Sequence, residues 1–98
     1  MRMLMTAEMD TQKANKAIAD NTFGQSVQAM LDKIKPEAVY FGAKDGKRTA
    51  FVVFDLKDAS DIPSVAEPFF QEFDVKIELI PVMDVKDVQA GMQKYAAK

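Results

Sequence analysis

Tyr40, Asp55, Glu8, Lys76 and Glu78 are ionisable residues that fall in or beside the most apolar stretches of this sequence. A phenol or carboxylate drawn out of water changes its pKa and can exchange a proton with a bound molecule. Tyr40 and Asp55 are therefore the candidate catalytic residues, polarising or deprotonating a substrate. Thr6, Glu8, Phe51, Lys76 and Glu78 are the candidate binding residues. The competing reading makes the same charges salt bridges and rim contacts between subunits. No available residue type offers a more specific chemistry. The chain has no histidine and no cysteine, which removes the commonest general base and metal ligand together with thiolate and disulfide chemistry. It has no glycine-rich phosphate loop. Its seven methionines read as core filling without softer co-ligands, and Asp55, Asp58 and Asp61 lack calcium-loop spacing. Neither a metal nor a cofactor is expected.

The candidate residues depend on a hairpin over 37–56, EAVYFGAKDGKRTAFVVFDL. Asp45-Gly46 suits the two central positions of a type I′ turn, where both φ angles are positive. That turn pairs Lys44 with Lys47 and sets a ladder running through Gly42–Thr49, Tyr40–Phe51 and Ala38–Val53. One face then carries Val39, Phe41, Ala50, Val52 and Phe54. The other carries Ala38, Tyr40, Gly42, Thr49, Phe51, Val53 and Asp55. Both faces are rich in large apolar side chains, whereas a sheet with one wet face should alternate apolar with polar. Each buried Phe or Val contributes roughly 1.5–3 kcal/mol, so both faces call for a cover.

The other elements follow from periodicity. Residues 2–9 read as a strand with Met3, Met5, Ala7 and Met9 on one side. Asp10 or Thr11 caps a helix, which Asp20-Asn21 interrupts and a Thr22–Gln25 capping box restarts. Phe23, Val27, Met30, Leu31 and Ile34 form its apolar stripe, and Lys35-Pro36 ends it. Ser60 or Asp61 caps the next helix, where Pro68 should kink or break the run. Residues 74–82 read as the last strand. Asp84 caps a final helix with Val85, Val88 and Met92 turned inward. Lys44 to Arg48 reads as a solvated tip, and Glu67 as solvent-facing. The order β-α-β-β-α-β-α predicts a ferredoxin-like α+β sandwich: a four-stranded antiparallel sheet, strand order 4-1-3-2, with helices on one face.

A length of 98 residues fits one domain covering the whole chain. The formal charge of −2 and pI near 5.0 argue against nucleic acid or an anionic membrane as partner. The segment 47–54, KRTAFVVF, partly matches the signature strand of an RRM: Lys47, Ala50, Phe51, Val52 and Phe54 fit. Arg48 replaces its glycine and Thr49 a stacking aromatic, so a core strand is the better reading. MRMLMTAEM is too short and too soon polar for a secretory segment, and the chain reads as cytoplasmic.

With this element order, the interrupted first helix and the two-faced hairpin, the chain resembles the dimeric α+β barrel superfamily. KPEAVYF, DGKRTAFVVFD and IPSVAEPFF are similar to segments of small uncharacterised bacterial proteins of that type. The resemblance implies a homodimer closed through the sheet faces. Superfamily members include cofactor-independent monooxygenases, haem-degrading enzymes, lactone isomerases and proteins without known activity, so it fixes no chemistry. The haem branch usually needs a histidine ligand, which this chain lacks. The leading expectation is a homodimer that binds a small apolar or aromatic ligand or plays an accessory role. The alternative is a cofactor-independent monooxygenase or isomerase acting on a small aromatic or polyketide-like substrate at Tyr40 and Asp55. A subunit of a larger assembly is a third reading.

Overall fold

The computed structural model describes residues 1–97. Strands β1 (Arg2–Glu8), β2 (Ala38–Lys44), β3 (Lys47–Asp55) and β4 (Lys76–Pro81) form one antiparallel sheet in the order β2-β3-β1-β4. Helices α1 (Thr11–Ala19) and α2 (Phe23–Ile34) join β1 to β2, and α3 (Ile62–Phe73) joins β3 to β4. The final helix α4 spans Val85–Ala96. This is the ferredoxin-like α+β arrangement, with β1 hydrogen-bonded to both β3 and β4.

The hairpin has the predicted register, Lys44 opposite Lys47 and Tyr40 opposite Phe51. Asp45 and Gly46 take φ values of 54° and 76°, as a type I′ turn requires. Asp10 caps α1 through a 3.0 Å bond from the Lys13 amide. Asn21 holds the left-handed conformation between α1 and α2, and Lys35 and Asp74 do so where α2 and α3 end. One side of the sheet is dry. Met3, Met5, Ala7, Ala50, Val52 and Phe54 are buried there against Val27, Met30, Phe69 and Phe73 of the helices. The Phe23 and Phe73 rings tilt together with centroids 5.4 Å apart.

Several local expectations are corrected. Thr22 makes no capping bond to α2; its hydroxyl donates to the Ala17 carbonyl instead. Asp61 stands at the N-cap position of α3 as expected but makes no side-chain capping bond; Asp58 caps the 3-10 turn at Ala59–Asp61 that precedes it, accepting from the Ser60 amide at 3.0 Å and from its hydroxyl. The helix α3 runs unbroken through Pro68. The carbonyl that Pro68 leaves without a donor belongs to Ser64, an exposed residue whose backbone water can satisfy. Phe41 shares the inward face with Val39 but is 58% exposed, because it lies toward the hairpin tip on an edge strand.

The largest correction concerns α4. Val85, Val88 and Met92 were expected to turn inward, yet no residue of α4 is buried and Met92 is 59% exposed. The molecule measures 57 × 28 × 17 Å. A nine-residue strand spans only about 30 Å, and the remaining length accommodates the ~18 Å of a 12-residue helix. The α4 helix is thus an arm extending past the sheet. The radius of gyration is 15.8 Å, against about 12.6 Å for a compact chain of this length. Accessible surface is 6741 Å², roughly 1,100 Å² above the value of about 5,600 Å² that scales with its mass. No helix among the described residues is long and apolar enough to cross a membrane.

The contrast between the core and the open edge of the same layer is measurable. Phe73→Ala, at a site 1% exposed, should cost about 3–5 kcal/mol in urea denaturation. Phe41→Ala should cost less than about 1 kcal/mol. Similar midpoints for the two variants would contradict this assignment of the core.

Candidate functional site

The side of the sheet away from the buried core carries every residue proposed for the site. Strand register arranges it in rows. Gly42, Thr49, Glu8 and Lys76 form the row nearest the hairpin tip; Tyr40, Phe51, Thr6 and Glu78 form the next. Ala38, Val53, Leu4 and Ile80 make a wholly apolar third row, and Asp55 lies opposite Arg2 in the fourth. The face therefore grades from charged, through aromatic, to apolar and back to charged.

The first row is brought together as a site. Glu8 is only 7% exposed, and one of its oxygens lies 3.8 Å from Lys76 Nζ and 3.9 Å from Lys44 Nζ. These separations exceed a hydrogen bond, so the carboxylate is held between two cations by charge. Lys44 is held more firmly protonated than an ordinary lysine, first by its hydrogen bond to Asp45 and then by Glu8. From its place beside Asp45-Gly46, Lys44 is expected on the solvated tip. The signal was available, since Lys44 follows Gly42 by two residues and so shares its face. Beside this trio, Thr49 is 1% exposed and donates to the Lys47 carbonyl at 3.0 Å. The Phe51 ring reaches to within 3.8 Å of where a Cβ on Gly42 would stand, which roofs that corner.

Tyr40 and Asp55 are not brought together. They stand two rows apart on neighbouring strands, a Cα separation of roughly 14 Å from strand geometry. Tyr40 is 69% exposed and, among the described residues, its hydroxyl has no hydrogen-bond partner. The Asp55 carboxylate accepts from the Met1 amine at 2.8 Å and from Lys57 at 3.0 Å. Those two cations hold its pKa down to about 2, the amine hydrogen bond being the larger cause. A carboxylate that acidic is a weak general base near neutral pH. Thr6 is buried in the centre of the second row, between Phe51 and Glu78.

At the far rim, Arg2 gathers three carboxylates. Its guanidinium lies 3.0 Å from Glu37, 3.3 Å from Asp84 and 3.4 Å from Asp87. Asp84 and Asp87 form the capping box that starts α4, so this arginine fastens the base of the arm. Asp84 is more acidic than usual, chiefly because it accepts the Asp87 amide. A groove of about 830 Å³, which Asp55 helps to line, opens between the end of α2, the end of β3 and the start of α3. Lys33, Lys35, Lys57, Asp61 and Glu67 mix both charges along it over Ile34, Leu56 and Val65, so Glu67 borders a groove.

A family model described as a domain of unknown function, DUF3303, matches residues 1–96. No curated protein matches the chain in sequence. Among solved structures, it is similar to the de novo designed protein Ferredog-Diesel, with 7% identity and a TM-score of 0.45 over 82% of this chain and 83% of that one.

Carboxyl NMR titration should find the Asp55 midpoint at about 2. Because its folded pKa lies below the unfolded value of about 3.9, its contribution to stability is present above that value and lost as pH falls toward 2. Lys57→Ala should raise the midpoint. An unchanged midpoint near 4 in the parent chain would remove the ion pairs assigned to Asp55.

Proposed function

The chain belongs to the DUF3303 family, a domain of unknown function, and from that premise we propose a homodimer that holds a small apolar or aromatic ligand between two facing sheets. The observation that carries this reading is the bare third row beside Tyr40 and Phe51. Leu4, Val53 and Ala38 are only half-buried and Ile80 is 41% exposed, although the row runs unbroken across the sheet and Leu4 and Val53 stand on its two central strands. Leaving such a row in water forfeits roughly 25 cal/mol for each Å² that could be covered. A second copy with the same row supplies a matching cover about a two-fold axis. The aromatic row above it would then line the wall of a chamber, with the Glu8 trio at its polar end.

Binding is favoured over catalysis by the placement of the two candidate catalytic groups. Tyr40 and Asp55 share no row, and Asp55 is already neutralised by two cations.

Sedimentation equilibrium at micromolar concentration should give twice 10.9 kDa for the parent chain and a folded single subunit for Val53→Asp. Addition of 1-naphthol, as a small aromatic probe, should raise the melting temperature of the parent and not of the variant. A well-folded solitary subunit of the parent would sink the dimer. A dimer indifferent to a panel of small aromatics would sink the chamber.

A further inference from the structure

We infer that α4 is an exchanged arm: each copy's α4 seats its apolar stripe on the other copy and closes one mouth of the chamber between the sheets. This rests on the homodimer proposed above and assigns a role to α4, none of whose residues is buried. Val85, Val88 and Met92 recur at spacings of three and four, so they lie on one face of α4. They are 72%, 43% and 59% exposed. Lys86, Asp87 and Lys94 fall on the opposite face. The helix is therefore amphipathic with its apolar side in solvent. Its polar side carries both signs, unlike the lysine- and arginine-rich face of a helix that lies on a membrane.

Area points to a second copy as the cover. The excess surface of roughly 1,100 Å² per chain exceeds the ~800 Å² that each partner gives to a standard interface. Position agrees with area. Arg2 projects on the same side of β1 as Leu4 and Thr6, and it holds Asp84 and Asp87 at 3.3 and 3.4 Å. The arm is thus rooted at the rim of the uncovered face, beside the apolar row. Its ~18 Å length is enough to cross from that rim onto a facing sheet whose four strands are about 14 Å broad. The stripe on the arm and the row on the sheet belong to the same chain, so one two-fold axis can satisfy both twice over.

A photo-crosslinking benzoylphenylalanine placed at Met92 tests this directly in the full chain. Irradiation should yield a covalent species of twice the subunit mass, with the attachment mapped by mass spectrometry to the rim of the other copy's sheet. In parallel, the double variant Val88→Asp, Met92→Asp should raise the dimer dissociation constant by about tenfold or more. Both side chains are exposed, and circular dichroism should show the subunit still folded. If the parent sediments as a dimer but the crosslink stays within one chain, or the double variant leaves dissociation unchanged, the exchange is wrong and the dimer stands. A monomeric parent overturns both.

Discussion

Alternation along β1 is the constraint on which the rest of the molecule depends. The strand is bonded on both edges, so its side chains have only two directions to go. Met3, Met5 and Ala7 take one of them and meet α1, α2 and α3, which fix the dry layer of the core. Leu4 and Thr6 must take the other. Among the described residues no helix covers that side: α1, α2 and α3 rest on the other layer, and α4 stands clear. The uncovered face and the free-standing helix are thus two results of the same shortage of cover.

That uncovered face is built to different standards along its length. At the tip end a carboxylate between two lysines keeps Glu8 compensated although it is nearly buried. Losing one lysine would leave a desolvated charge less well paired, which is costly, whereas the pair itself adds little net stability. In the middle, the Tyr40–Phe51 and Ala38–Val53 pairs offer large, chemically indifferent surface. Selectivity in such a site comes from shape and a few polar groups at its margin. The same layout fits poorly with Tyr40 and Asp55 acting together on one substrate atom, because each would have to lie within hydrogen-bond reach of it.

How far the sequence spoke for itself varies with how local each determinant was. The hairpin register was legible because Asp45-Gly46 strongly favours a type I′ turn, and every rung after it is counting. Strand order was legible because two right-handed crossovers around a hairpin leave few arrangements. The α4 stripe was legible as a stripe, but periodicity records only that a face is apolar. It says nothing of which chain covers it, and Val88 and Met92 were assigned inward by default. Phe41 illustrates the same limit: parity places it on the helix side, whereas exposure depends on where the helices stop. Pro68 reads from the sequence as a kink or a break; the helix does not break there, and the carbonyl left without a donor is that of Ser64, at the surface. The separation of Tyr40 from Asp55 was legible as well, since the ladder that sets Tyr40 opposite Phe51 leaves Asp55 four residues further along β3, on the same face but two rows away.

The cluster at Arg2 has a mechanical meaning beyond its ion pairs. One guanidinium joins the start of β1, the residue leading into β2 and the first turn of α4, so three segments distant in sequence pivot on a single planar group. Such a joint is stiff while its carboxylates are charged and loosens as counterions compete for them. The angle at which the C-terminal helix leaves the body would therefore be tuned by ionic conditions, with the hydrophobic layer on the far side of the sheet left undisturbed.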